Sequence, residues 1–169
     1  MGPSPRYIIL DNFFPHLPQM LDNLKSREHW ASNEHPARPE SGNWPGKRSL
    51  NYMEHDPILS SLFTVCAGEY MPQYNYGTLC THWRFGENKD WAHVDNNLCT
   101  GLVYLSETNM SSGTQFFDKD PDDGGKVILD VPFVQNRCVL FYGDPYHRSK
   151  SNYGESKDDA RFTMNFFAH

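Results

Sequence analysis

The stretch Arg161-Phe162-Thr163-Met164-Asn165-Phe166-Phe167 alternates with a period of two. Successive side chains of a strand point to opposite faces. Phe162, Met164 and Phe166 therefore share one face, and Arg161, Thr163, Asn165 and Phe167 share the other. If the all-apolar face packs on a core or on helices, Arg161 and Thr163 turn into the interior of a β structure. A cation there is costly without a partner. An internal carboxylate or solvent is one solution. A bound dicarboxylate is another, met by a bidentate guanidinium with a threonine hydroxyl beside it.

Upstream, short β-like segments recur at about 76–85, 91–95, 100–105, 114–117, 127–131, 137–142 and 147–149. The turns between them are polar or Gly-rich, at 86–90, 106–113, 118–126 and 152–160. The first part differs. Tyr7-Ile8-Ile9-Leu10 reads as a strand, and Leu17, Met20, Leu21 and Leu24 at helical spacing predict a helix over 16–28. Residues 31–47 form a long loop rich in Pro and Gly. Asp56-Pro57 signals a second helix running to about Gly68, because Asp caps and Pro suits the first turn. Two helices and about eight short strands predict an α+β, mainly β domain of the sandwich or jelly-roll kind. One domain over 1–169 is expected, with the N-terminal strand and helices in 1–75 and the β core in 76–169.

The 169 residues are 38% hydrophobic and 14% aromatic, enough for a buried core and unlike a disordered chain. A formal net charge of −6 and no basic stripe argue against nucleic acid as a partner. No apolar run nears the roughly 20 residues needed to span a bilayer, so no membrane partner is expected. The first residues lack a basic-then-apolar leader, which makes a cytoplasmic location the expectation. Cys66, Cys80, Cys99 and Cys138 have no paired spacing and sit among apolar neighbours, the pattern of buried reduced thiols.

His93-Val94-Asp95 places an imidazole and a carboxylate on one strand face. His147 follows an apolar strand and the turn Gly143-Asp144-Pro145. Together the three make a two-His, one-carboxylate face with open positions. Two imidazoles disfavour Mg²⁺ and Ca²⁺. Fe(II), Mn(II), Co(II) and Zn(II) remain open. A cation deeper in the same pocket suits an Fe(II) oxygenase with an acidic co-substrate.

The ordered set Trp91-Ala92-His93-Val94-Asp95, Gly101 to Ser106, Ser112 to Phe117, Arg137 to Phe141, His147 and Arg161 to Phe167 resembles the Fe(II)/2-oxoglutarate dioxygenases. It is most similar in style to the prolyl-4-hydroxylase-like branch, and it covers about 76–167. The resemblance implies a double-stranded β-helix with about two N-terminal helices on the larger sheet. It implies Fe(II) held by His93, Asp95 and His147. Arg161 would bind the distal carboxylate of 2-oxoglutarate, with Thr163 and Tyr104 assisting. Three features depart from the pattern. The spacing from His147 to Arg161 is long, Phe85 stands about where relatives carry a tyrosine, and Ser112-Gly113 replaces a Gly-Gly pair.

The implied reaction consumes O₂ and converts 2-oxoglutarate to succinate and CO₂ while hydroxylating a C–H bond. The substrate class stays open among a prolyl or other peptide side chain, an amino acid and a small molecule. Trp91, Tyr76, Trp83, Arg84 and Asn97 are the candidate substrate walls, and the 31–47 loop is a candidate lid. Whether a hydroxylated product is stable or fragments, and the oligomeric state, are not readable. Two other classes compete. A non-catalytic jelly-roll binding domain would leave His93 and Asp95 incidental. A Zn-dependent hydrolase would use the same ligands but gives Arg161 and Thr163 no role.

Overall fold

A computed structural model describes residues 6–37 and 43–169. The expected loop and candidate lid at 31–47 therefore falls partly outside the described residues. Among the described residues nine strands form two antiparallel sheets. In chain order they are β1 (Arg6–Leu10), β2 (Lys47–Arg48), β3 (Gly77–Arg84), β4 (Cys99–Tyr104), β5 (Asn109–Phe117), β6 (Val127–Phe133), β7 (Cys138–Tyr142), β8 (Tyr146–Ser149) and β9 (Arg161–Ala168). The larger sheet runs β1-β7-β4-β9-β3-β2 and the smaller β6-β5-β8. The mainly β expectation holds.

Three α-helices precede β3 among the described residues: α1 (Leu17–Ser26), α2 (Tyr52–His55) and α3 (Pro57–Ala67), the last followed by a short 3-10 turn at Gly68–Tyr70. Pro57 starts α3, and the Asp56 carboxylate accepts from the Leu59 N–H. The short α2, capped by Asn51, was not read from the sequence. Leu17 and Leu24 of α1 and Phe63 of α3 join one buried cluster with Leu79, Phe162, Met164 and Phe166. The helices thus cover the face of the larger sheet that the alternation in 161–167 marked as apolar. A second cluster lies between the sheets, where Leu102, Tyr104, Val139 and Phe141 meet Phe116, Val131 and Phe133.

The expected split between 1–75 and the β core is not a structural seam. β1 pairs with β7 and β2 with β3, so the first 75 residues supply two strands of the larger sheet. The loop expected at 106–113 is largely strand as well. β5 begins at Asn109 and shifts register before Gly113, whose φ of +141° and contact with the Val131 carbonyl exclude a Cβ. Residues 91–95 make no strand and contribute a single bridge at His93. All four cysteines are free. Three are buried and Cys66 is only partly so. No helix among the described residues is long and apolar enough to cross a membrane.

Candidate metal centre

His147 lies on β8 opposite Phe116 of β5. Its other edge exchanges two backbone hydrogen bonds with His93, at 3.0 and 2.9 Å, and the two rings sit 4.5 Å apart. Two residues on, Asp95 completes the group. One ligand atom from each of the three lies within 4.8 Å of the others. Asp95 Oδ1 is 3.5 Å from His93 Nε2, and Oδ2 is 3.4 Å from His147 Nε2. Ligands at right angles on bonds of about 2.1 Å stand roughly 3 Å apart, so a small adjustment closes this set on one ion.

The surroundings fix the ligand atoms. His93 Nδ1 bonds the Trp91 carbonyl and His147 Nδ1 bonds the Pro145 carbonyl, both at 3.0 Å. A carbonyl can only accept, so each Nδ1 carries the proton and each Nε2 presents a lone pair. Thr100 donates to Asp95 Oδ2 at 2.8 Å. Asp144 Oδ1 accepts from the backbone N–H of both Asp95 and Asn96 at 2.8 Å. Burial opposes the charge on Asp95, but His147, His93 and the Thr100 hydroxyl together hold its pKa down at about 2. It is an anion at neutral pH. Burial also lowers the His147 pKa, favouring the neutral ring a metal requires. For His93 burial is the largest single effect and lowers the pKa, but Asp95, the Trp91 carbonyl and Asp90 together outweigh it and the pKa is raised.

Arg161 lines the same cavity. It is 2% exposed, and its guanidinium carbon lies 5.5 and 5.9 Å from the Phe133 and Tyr104 rings. Its Nε has no hydrogen-bond partner, and no carboxylate among the described residues pairs with it. Burial lowers its pKa from the usual arginine value. The cavity thus combines three metal-type ligands with an uncompensated buried cation, which suits a metal chelated by an acidic ligand.

The other expected residues separate. Tyr104 stays beside Arg161, but its hydroxyl is committed to Thr114 Oγ1 at 2.8 Å. Thr163 is fully buried and donates to Asn165 Oδ1 at 2.7 Å. Their partners Thr114 and Asn165, rather than the two hydroxyls themselves, face the cavity. Arg84 lines it too, in an ion pair with Asp90 and a 2.6 Å bond to Ser149. Phe85 follows β3 and packs on the helix-side cluster, so the inward position near the expected tyrosine belongs to Arg84. Trp83 is a correction to the proposed substrate wall. It points away from Arg84, is fully buried, and stacks 3.9 Å from Phe162 on the helix side. Trp91 is 49% exposed beside His93. Tyr76 and Asn97 line a larger outer groove of about 440 Å³ that also reaches His93 and Asp95. Asp90, Thr100 and Asp144 were not singled out from sequence, though Asp144 had a signal in the turn leading to His147; Arg48 stood out only as the end of Trp44-Pro45-Gly46-Lys47-Arg48, the most distinctive stretch at the candidate lid.

No family model matches the chain, and no curated protein does. Solved structures do. A prolyl hydroxylase from Trichoplax adhaerens, in complex with a hypoxia inducible factor oxygen degradation domain peptide fragment, aligns at a TM-score of 0.61 and 19% identity. That match covers 96% of this chain and 82% of the other. A Pseudomonas putida prolyl-4-hydroxylase aligns at 0.61 and 12% identity, covering 98% and 93%. HygX from Streptomyces hygroscopicus, with nickel and 2-oxoglutarate bound, aligns at 0.60 and 12% identity, covering 96% and 82%. The fold is the one these enzymes share.

Proposed function

We propose that this protein is an Fe(II)/2-oxoglutarate-dependent oxygenase of the prolyl-4-hydroxylase-like branch, folded as one domain around a double-stranded β-helix. The observation that carries the reading is the buried Arg161, without an acidic partner among the described residues, in the cavity that holds His93, Asp95 and His147. The fold shared with HygX, which has nickel and 2-oxoglutarate bound, supports it. A Zn-dependent hydrolase would leave that cation without a use.

Fe(II) with 2-oxoglutarate and O₂ would supply the oxidising power for hydroxylating a C–H bond, releasing succinate and CO₂. The chain supplies the rest. The two Nε2 atoms and Asp95 would hold the ion. The Trp91 and Pro145 carbonyls keep the protons on Nδ1. Arg161 forks the distal carboxylate of 2-oxoglutarate, and its charge is worth most where Tyr104 and Phe133 exclude water. Asn165 and Thr114 offer polar atoms along the wall, held by Thr163 and Tyr104. Arg84, already neutralised by Asp90, shapes the cavity without competing for the anion. Trp91, Tyr76 and Asn97 border the outer approach, where a peptide or small-molecule substrate would enter.

An anaerobic titration of the metal-free protein with Fe(II) and then 2-oxoglutarate tests this. A visible charge-transfer band that needs both additions is expected, lost in His93→Ala and weakened in Arg161→Ala. Fe(II) binding without any such band would overturn the 2-oxoglutarate assignment.

A further inference from the structure

Arg48 joins Arg161, Arg84 and Arg148 in lining the site. Arg48, on the two-residue strand β2, lines both the inner cavity and the outer groove. Its guanidinium carbon lies 4.7 Å from the Trp44 ring and 5.6 Å from the Phe167 ring. Two aromatic faces hold the fork in place while leaving its edge available. Its one side-chain hydrogen bond among the described residues runs from Nε to His82 Nδ1 at 3.4 Å. His82 is fully buried, and its Nε2 bonds the Pro45 carbonyl at 2.6 Å. That carbonyl can only accept, so Nε2 holds the proton and Nδ1 is free to accept from Arg48. Burial keeps His82 neutral by pushing its pKa well below the usual value, and nearby Arg48 and Arg84 add to the effect.

The terminal guanidinium nitrogens of Arg48 make no hydrogen bond or ion pair among the described residues. The nearby carboxylates are committed elsewhere: Glu54, in the outer groove, accepts from Asn51 Nδ2 at 2.9 Å. Asp90 holds Arg84 and the Ser149 N–H, and Asp95 sits between the two histidines. Arg161 already provides a cation at the deep end. A second fork, where the inner cavity meets the outer groove, meets whatever approaches the metal from outside.

We propose that Arg48 binds a carboxylate of the substrate, and that the substrate is a small carboxylic acid oriented by this pair with its reactive carbon toward the metal. The inference rests on the oxygenase reading of the cavity. The outer groove, at about 440 Å³, has the volume of a small-molecule site. Asn97 lines the same groove, its amide donating to Thr100 Oγ1 at 3.4 Å. His82 acts as a positioning residue that fixes the Arg48 fork.

The test uses protein loaded with Ni(II), which keeps the site redox-inert, with and without saturating 2-oxoglutarate. The probes are free L-amino acids and simple aliphatic and aromatic carboxylic acids, each paired with its primary amide. Binding is read by thermal shift and calorimetry. At least one acid is expected to bind about 10-fold or more tightly than its amide, as a charge-assisted pair would give. Arg48→Gln should abolish that preference and leave 2-oxoglutarate affinity within about 2-fold, which also shows that the variant is folded. Arg48→Lys, which keeps the charge but not the fork, should retain a reduced preference and serves if the glutamine variant does not fold. Acids and amides binding alike, or no acid binding at all, would overturn the proposal. So would an Arg48→Gln loss of 2-oxoglutarate equal to that of Arg161→Gln, which would assign Arg48 to the co-substrate. Wild-type protein that fails to bind 2-oxoglutarate would instead count against the oxygenase reading, and the acid–amide comparison with Ni(II) alone would still judge Arg48.

Discussion

Arg84 and Arg161 lie directly opposite each other in the β3–β9 ladder, both turned into the cavity, and among the described residues only Arg84 has a carboxylate partner. Like charges in register repel. Asp90 relieves this for Arg84; burial opposes its charge, but Arg84 and Ser149, with a smaller pull from Arg161, keep that carboxylate ionised. The pair therefore divides into a structural cation and a ligand-seeking one. Arg161→Gln is expected to weaken 2-oxoglutarate binding by roughly 100-fold, the scale of a charge-assisted bidentate contact, with little loss of stability. Calorimetry on the Ni(II)-loaded variant checks both the affinity and, through its thermal midpoint, the fold.

Removing Asp90 should do the opposite. Asp90→Asn strips a buried guanidinium of its charge partner and weakens its hold on the Ser149 N–H. A broken buried pair costs about 3–5 kcal/mol. Urea unfolding should show that loss, even before any ligand is added. A change below about 1 kcal/mol would mean that water or Ser149 already satisfies Arg84.

Asp144 offers a test one layer away from the metal. Its carboxylate takes the N–H groups of Asp95 and Asn96, and both Asp144 and Asn96 hold positive φ, at 53° and 56°. This turn aims the Asp95 carboxylate at the histidines. Asp144→Ala is expected to lower metal affinity by about 10- to 100-fold, as loss of an orienting partner does. Competition against a chelator of known affinity measures it. His93→Ala, which removes a ligand, should fall further.

The candidate metal group was legible from its ordered context rather than from any one motif, since an H-x-D alone arises easily by chance. His93 and Asp95 are two apart, and His147 follows an apolar strand that delivers it to a turn. Arg161 was legible because the period-two pattern of β9 leaves it on the polar face. Arg48 was not. Lys47-Arg48 sits in a Pro- and Gly-rich loop, and a two-residue strand is too short to show a period. The side of β3 was ambiguous for a related reason. His82, Trp83 and Arg84 are all amphipathic, and a shift of one residue exchanges the faces. Tertiary packing decided it, by giving Trp83 a stacking partner in Phe162. The start of β5 was hidden by Asn109-Met110-Ser111-Ser112, whose polar run reads as a loop until the bulge before Gly113 is seen.

The two tryptophans on either side of the site should therefore behave differently. Trp83→Ala empties a fully buried position and should cost about 3–5 kcal/mol. Trp91→Ala, at a half-exposed rim, should leave stability within about 0.5 kcal/mol. Denaturant midpoints compare them directly. Equal losses would contradict the face assignment of β3.

Acid should weaken the fold through His29. Its Nδ1 bonds the Arg27 carbonyl at 2.7 Å, and its Nε2 lies 2.8 Å from Thr81 Oγ1, which is 2.6 Å from the Tyr52 hydroxyl. With the proton on Nδ1, Thr81 donates to Nε2 and Tyr52 donates to Thr81. Protonating Nε2 would force this relay to turn around. Burial is the main cause that holds the His29 pKa down at about 4, against 6.5 for a free ring. Between those values the unfolded chain binds a proton that the native state refuses. Stability is thus intact above about pH 6.5 and falls as pH drops toward 4, by about 2–3 kcal/mol after allowing for the ring's partial exposure. Urea unfolding at a series of pH values should show this slope. His29→Gln should be less stable at pH 7 but lose the share of the slope that His29 contributes. If the slope is unchanged in His29→Gln, the proton-linked loss belongs to another group, and His82, also neutral and buried, is the next to replace.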